Sequence, residues 1–349
     1  MKTKALALWS VPFLALSVGA ASADSIDPLT YSDTLALGES VTIQKTVTVS
    51  AGSPTSALVD IVFLADETGS MGGEIADVRN AAASILSSTA GLGDVTWGVG
   101  GYRDTSDSFT YRELTDLTST QADVQTAINT WSASGGGDFP EANLYGLEQV
   151  ATGIDWRAGS TRIVVWFGDA PGHDPSMGVT QADAIAALTG ENITVHALDA
   201  GSLDSTGQAT AITAATGGTL GNLGAGTGAV TASILAAIDA TFASYSTVSL
   251  GVTAGADCVS VSTDPTSYNG DFTRENSHDF TFDVTFTGTS VGSCDFGINA
   301  LVDGGIVATE KDSFVVTGGG PAPVPLPASL PLLLGALLGS GAFLRRRKK

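Results

Sequence analysis

Between residues 58 and 246 the chain alternates short, nearly continuous apolar runs with stretches of helical periodicity. Val59-Asp60-Ile61-Val62-Phe63-Leu64-Ala65 is the first such run. Arg162-Ile163-Val164-Val165-Trp166-Phe167 and Ile193-Thr194-Val195-His196-Ala197-Leu198 follow the same pattern. Apolar on both sides of the pleat, they read as parallel strands covered on both faces. Val95 to Tyr102 supplies a further strand. Helices are predicted over Glu74 to Thr89, Thr120 to Trp131, Asn143 to Ile154 and Gln181 to Leu188, and two Ala-rich ones around Ala209 to Ala215 and Ala229 to Ala243. Strands separated by helices imply right-handed crossovers and a doubly wound, mostly parallel α/β sheet. Ligands of such sheets gather at the carboxyl ends of the strands.

The flanks have a period of two. Phe280-Thr281-Phe282-Asp283-Val284-Thr285-Phe286 alternates, and Asn269-Gly270 reads as a hairpin turn. Residues 247–317 are therefore predicted to form an antiparallel, sandwich-like β-domain. Ser40 to Val49 alternates in the same way. Residues 24–56 form a β-leader expected to join that domain, with the α/β domain of residues 57–246 inserted between the two.

The ends carry processing features. Lys2 and Lys4 precede an apolar stretch from Ala5 to Val18, and Ala21-Ser22-Ala23 supplies a small-residue cleavage pattern. Residues 1–23 thus read as a secretory signal peptide, being short for a spanning anchor. Residues 318–349 hold a Gly/Pro linker, then Val324-Pro325-Leu326-Pro327-Ala328, an apolar run from Leu330 to Leu344 and the cluster Arg345-Arg346-Arg347-Lys348-Lys349. At about 1.5 Å per residue the run is slightly short for a bilayer core of about 30 Å. The terminal cations would stay cytoplasmic. This order of motif, apolar run and basic cluster resembles the VPLPA-type PEP-CTERM sorting signals of Gram-negative bacteria. The resemblance implies an exosortase-like processing enzyme; the alternative is a permanent single-span membrane anchor. Either way the body is expected to be exported, at the cell surface of a Gram-negative envelope or secreted, and first held by its tail.

With both ends set aside, 8 basic residues face 36 acidic ones, a net charge of −28. Such a surface repels nucleic acid and anionic lipid, so no nucleic-acid partner is expected. It suits divalent cations or a salty medium. The two cysteines, Cys258 and Cys294, are expected to pair as a disulfide in an oxidising compartment.

The first strand ends in Asp66-Glu67-Thr68-Gly69-Ser70, just before a helix. Positions i, i+2 and i+4 of such a loop can aim one carboxylate and two hydroxyls into one concavity. Hard oxygen donors at that density suit Mg²⁺ or Mn²⁺. Taken alone, Thr68 or Ser70 could equally cap the helix. Glu67, at the intervening position, is expected to point away from the site, so that replacing it changes cation and partner binding little.

Asp66-Glu67-Thr68-Gly69-Ser70 resembles the D-x-[ST]-x-S pattern of the von Willebrand factor A family, whose metal-ion-dependent adhesion site it forms. Asp138-Phe139-Pro140-Glu141, after the run Gly135-Gly136-Gly137, is similar to the D-x-P-E loop of the integrin β-subunit branch. Val164 to Ala170, with Asp169, resembles that family's aspartate-terminated strand. The likeness implies a primary Mg²⁺ or Mn²⁺ site of Asp66, Thr68, Ser70, Glu141 and Asp169. It implies a second site, for Ca²⁺, from Asp104, Asp138, the Pro140 carbonyl and Glu141. Gly136 there replaces the family's asparagine. A third site would use Glu74, where Gly73 replaces one of two adjacent acids.

No zinc motif, nucleophile elbow or phosphate loop surrounds the three histidines, His173, His196 and His278. His196 lies in an apolar strand and reads as a core residue. His173 lies near the rim of the site, where it could contact ligand, and reads as solvent-exposed. No residue is assigned to catalysis, and the chain is not expected to be an enzyme. The expected function is a metal-dependent module binding an acidic group of a protein or glycan. The alternatives are a cation-binding structural protein of the envelope or extracellular matrix and a metal-dependent hydrolase.

Overall fold

The computed structural model describes residues 23–318. The signal peptide expected over residues 1–23 and the sorting segment expected over residues 318–349 lie outside this range, Ala23 and Gly318 excepted. No helix among the described residues is long and apolar enough to cross a membrane.

The chain begins with β1 (Ser25–Asp27), β2 (Thr30–Ala36) and β3 (Ser40–Val49), then enters the α/β unit. That unit comprises β4 (Ala57–Asp66), α1 (Gly72–Thr89), β5 (Gly93–Tyr102), β6 (Tyr111–Thr118), α2 (Gln121–Asn129), α3 (Asn143–Gly153) and β7 (Thr161–Gly168). It continues with α4 (Gln181–Gly190), β8 (Ile193–Asp199), α5 (Gln208–Thr216), β9 (Leu220–Asn222) and α6 (Thr227–Phe242). The chain finishes with β10 (Ser244–Val252), β11 (Val259–Asp264), β12 (Ser267–Thr273), β13 (His278–Gly288), β14 (Gly292–Val302) and β15 (Gly305–Thr317).

Six strands form the central sheet in the order β6-β5-β4-β7-β8-β9, parallel except for β6. Alternate residues of β4 explain why two helical layers are needed. Val59, Ile61, Phe63 and Ala65 pack with Ile75, Val78 and Ile85 of α1, Val124 of α2 and Ile234 of α6. Val62 and Leu64 pack on the other side with Leu144 and Leu147 of α3, Leu188 of α4 and Ile212 of α5. Each strand side chain thus removes apolar surface from water on one face or the other. The chain leaves β4 for β5 on one side and returns as β7 on the other. Asp66 therefore ends the strand at the topological switch point.

The edge strand β6 is not signalled by the sequence pattern. Its residues Tyr-Arg-Glu-Leu-Thr-Asp-Leu-Thr are half-exposed and carry no buried apolar run.

The flanks form two facing sheets, β1-β3-β13-β11 and β12-β10-β14-β15-β2. Strand β3 pairs antiparallel with β13 from Ser40↔Thr287 to Val49↔His278, and β2 lies parallel to β15. The alternating Phe282, Val284 and Phe286 thereby face Phe296, Ile298 and Phe314 across the interior, with Phe286 and Phe314 centred 4.7 Å apart. Cys258, ahead of β11, is bonded to Cys294 of β14, which ties the two sheets together. Strand β10 begins at Ser244, so residues 244–246 belong to this sandwich rather than to the α/β unit.

Asn269-Gly270 is not a turn. It lies inside the edge strand β12, with Asn269 opposite Thr247 of β10. The neighbouring Tyr268 ring packs against Phe280 and Phe282, at 5.3 and 5.2 Å between centroids. Burial of that ring holds the dipeptide in the sheet and overrides its local turn preference.

Candidate metal centre

The end of β4 is fixed by hydrogen bonding on both sides. The Glu67 amide donates to the Tyr102 carbonyl at 2.8 Å, extending the pairing with β5. Asp66 is fully buried, and its Oδ1 accepts from the Thr68 amide at 2.9 Å and the Thr68 hydroxyl at 2.7 Å. The Ser70 hydroxyl lies 3.3 Å from that of Thr68. A single 3₁₀ turn, Gly69–Met71, then leads into α1. Neither this turn nor α1 is capped by a side chain. The hydroxyl of Thr68 is committed to the pocket, and the capping reading is set aside.

Glu141 enters from the loop between α2 and α3. Its amide donates to the Pro171 carbonyl at 2.9 Å, and its carbonyl accepts from the His173 amide at 2.8 Å. This short parallel bridge hangs the loop on the segment after β7. The glycine run closes the other side: Gly69 donates to the Gly135 carbonyl at 3.1 Å, and Gly136 to Asp107 Oδ2 at 2.8 Å. Gly136 has φ +77°, and a Cβ there would lie 2.9 Å from Glu141 Oε1 and 3.0 Å from Thr68 Cβ. Only glycine combines that backbone with so close an approach. Asp169 follows β7 directly, its carbonyl held by the Ser202 amide at 2.9 Å.

These acids meet with unspent acceptors. Asp66 Oδ2, Glu141 Oε2 and Asp169 Oδ1 are buried and have no hydrogen-bond partner among the described residues. Burial pushes the Asp66 carboxyl up to about 7, against the Thr68 hydrogen bonds and with help from the charge of Asp169. Burial, followed by the charges of Asp66, Asp104, Asp107 and Asp169, pushes Glu141 up to about 8. Three orphaned carboxylate oxygens beside two hydroxyls are costly without a cation and form a hard-oxygen donor set with one. The residues present therefore fit a divalent ion of the Mg²⁺ or Mn²⁺ type.

The carboxylates are not drawn tight. Among the described residues, the trio whose ligand atoms all lie within 4.8 Å of one another is Asp104, Asp138 and His173. His173 Nε2 is 3.0 Å from Asp104 Oδ1 and 4.0 Å from Asp138 Oδ1. Burial raises the Asp104 carboxyl, but hydrogen bonds from Ser106, the Thr105 amide and His173 outweigh it, so its net shift is downward. Asp104 and Asp138 are thus brought together as the second group requires, with Glu141 close enough to feel the charge of Asp104. His173, expected in solvent, is only 26% exposed and completes the trio. The sequence signal for it is its position four residues after Asp169. Asp107 carries no such signal, being a loop acid without a motif. Half-buried Glu74, in the first turn of α1, joins no such trio.

Glu67 has a separate, structural place. It does turn away from Asp66, but it is fully buried in a bidentate ion pair with Arg112 and accepts from the Ser132 amide at 3.0 Å. It is a structural acid, so replacing it cannot be neutral.

Residues 60–208 match the family model described as von Willebrand factor A domain. Among solved structures, a von Willebrand factor type A protein from Catenulispora acidiphila is similar at 15% identity and TM-score 0.47, covering 86% of this chain and 76% of that one. The pilus adhesin SpaC from Lactobacillus rhamnosus GG is similar at 13% identity and TM-score 0.41. That match covers 79% of this chain and 46% of the adhesin, so the chain spans about half of the adhesin's length. The SpRpn10 VWA domain is similar at 12% identity and TM-score 0.40, with 51% and 94% covered. No curated protein matches the chain.

Proposed function

We propose that this protein is a non-enzymatic, exported binding module in which Asp66, Thr68, Ser70, Glu141 and Asp169 hold a divalent cation. The observation that carries this reading is the trio of buried, unpartnered oxygens, Asp66 Oδ2, Glu141 Oε2 and Asp169 Oδ1, at the switch point of the sheet. When bound, such an ion would supply a positive centre with a position left for an acidic group of a protein or glycan partner. The protein's own contribution is placement. Thr68 orients Asp66, the Pro171–His173 bridge fixes Glu141, and the glycine run walls the pocket. Phe139, 60% exposed and next to Asp138, offers a partner an apolar contact at the rim. The family match to residues 60–208 supports the reading at the level of the domain.

Calorimetry with Mg²⁺, Mn²⁺ and Ca²⁺ on the mature chain tests it. Wild type should bind, Asp66→Ala should not, and Thr68→Ala should bind more weakly, having lost a neutral donor. Equal affinity of wild type and Asp66→Ala would sink the assignment. A protein and glycan array read with Mg²⁺, with Ca²⁺ and with chelator then separates a partner-binding module from a protein that uses cations only for stability.

A further inference from the structure

Three charged side chains sit inside the β-sandwich, in a different part of the fold from the candidate metal centre. Lys45 on β3 is fully buried, and Glu310 and Asp312 on β15 are 1% and 2% exposed. Strand β15 alternates, so Glu310, Asp312 and Phe314 share its inward face. Lys45 reaches across from the opposing sheet. Its Nζ is in direct contact with Glu310 Oε1 and lies 3.4 Å from Asp312 Oδ1. The Phe286 ring centre is 5.6 Å away. The cross-strand neighbours are apolar as well: Phe282 beside Lys45, Ile298 beside Glu310 and Phe296 beside Asp312.

One cation facing two carboxyls in an aromatic interior is a poor resting arrangement as an ion cluster. Apart from the Lys45 contact, among the described residues no hydrogen bond reaches Glu310 Oε2 or Asp312 Oδ2. Burial holds both carboxyls above the ordinary range, against the pull of Lys45. An amine held against a carboxyl group, with a second carboxyl in reach and a low-polarity wall around all three, is placed for condensation.

We propose that Lys45 and Glu310 condense to an intramolecular amide that covalently joins the two sheets, with Asp312 as the proton carrier. Asp312 takes one proton from the Lys45 ammonium and hands it to the Glu310 carboxylate. The neutral amine then attacks Glu310 Cδ. The N–C bond forms, the bond from Cδ to the protonated oxygen breaks, and that oxygen leaves as water with a second proton from the nitrogen. One ammonium and one carboxylate become one neutral amide and one water. Nothing is oxidised or reduced, and Asp312 ends as it began. Two buried charges disappear, and the product amide is shielded from hydrolysis by the same aromatic residues. Lys45 precedes the α/β unit and Glu310 follows it. Tension applied at the end of β15 would pass to β3 through the amide instead of through the inserted domain.

Tryptic mapping of the reduced and alkylated mature protein tests this. The expected result is no cleavage after Lys45, and the β3 peptide joined to the peptide that ends at Lys311, lighter than their sum by one water. A joint to the peptide that begins at Asp312 would overturn the assignment to Glu310. Free β3 peptides cleaved at Lys45, with no water lost, would overturn the cross-link and leave an ion cluster. The wild-type map decides this without any variant. Asp312→Asn, with its fold checked by circular dichroism on the same sample, should accumulate uncross-linked chain. Cross-linking as complete as in wild type would remove Asp312 from the proton transfer.

Discussion

The guanidinium of Arg112 closes on the carboxylate of Glu67 with two hydrogen bonds, one of them 2.8 Å from Nε to Oε1, on the side of β4 facing away from the pocket that Asp66 enters. Adjacent acids therefore do opposite work. Glu67 is neutralised by the protein itself, whereas Asp66 keeps an oxygen without a partner. Glu67→Ala leaves Arg112 and the Ser132 amide without an acceptor. It should lower stability by roughly 2–4 kcal/mol, discounted because Arg112 is partly exposed, while the folded fraction keeps its cation affinity. Asp66→Ala should do the reverse, costing little stability in chelator and abolishing cation binding. Urea unfolding with and without chelator, beside calorimetry, checks the pair. The distinction fails if both variants lose affinity alike.

Gly136 makes the second prediction. Its positive φ, and the 2.9 Å that would separate an added Cβ from Glu141 Oε1, leave a methyl group nowhere to go without moving a ligand. Gly136→Ala should weaken Mg²⁺ binding by at least about tenfold, the scale seen when groups that orient ligands are disturbed. Gly178, whose Cβ would meet nothing within 4 Å, is the matched control with positive φ. Gly178→Ala should cost about as much stability through backbone strain and leave affinity unchanged.

How much of this is legible in the sequence depends on whether a residue's role is local. The β4, β7 and β8 runs announce themselves because a strand buried on both faces must be apolar throughout. Asp66, Thr68 and Ser70 are legible because the spacing alone confines them to one loop. His173 and Asp107 are not. Their places follow from the bridge of Glu141 to the segment after β7 and from the Gly136 amide, which are tertiary contacts. Asn269-Gly270 shows the converse, a strong local turn signal cancelled by the burial of Tyr268. Lys45 alternates correctly in its strand, yet nothing near it in sequence reveals that it faces Glu310.

The disulfide gives a third prediction. Cys258 and Cys294 are 36 residues apart in sequence and link opposite sheets. Closing a loop of that size should stabilise the sandwich by roughly 3–4 kcal/mol on the chain-entropy estimate. The Cys258→Ser/Cys294→Ser protein should lose that amount in urea unfolding and leave cation affinity unaltered. Stability insensitive to the double substitution would show that other contacts already hold the two sheets together.

The last prediction concerns acid and turns on His196. The Thr219 amide donates to His196 Nδ1 at 3.1 Å, so that nitrogen is an acceptor. The proton is therefore on Nε2, which donates to the Thr241 hydroxyl at 2.7 Å. A second proton would have to sit on Nδ1, where it would displace the Thr219 amide and have only the Thr219 hydroxyl, 2.9 Å away, as a neutral acceptor in a buried site. Burial accordingly pushes the folded-state value down to about 4. Unfolded, the imidazole titrates near its ordinary value of about 6.5. Between these values the unfolded chain binds a proton that the folded chain refuses, so stability falls as pH falls across the window. From about pH 7.5 to about pH 5 the loss should be about 2 kcal/mol. His196→Asn keeps an acceptor toward Thr219 but cannot titrate. It should be less stable than wild type at neutral pH, and the gap should narrow by that amount as the solution is acidified. Urea unfolding of both proteins across the window measures it. Parallel stability curves would mean that His196 is protonated as readily folded as unfolded, and that the Thr219–His196–Thr241 arrangement does not exclude the charge.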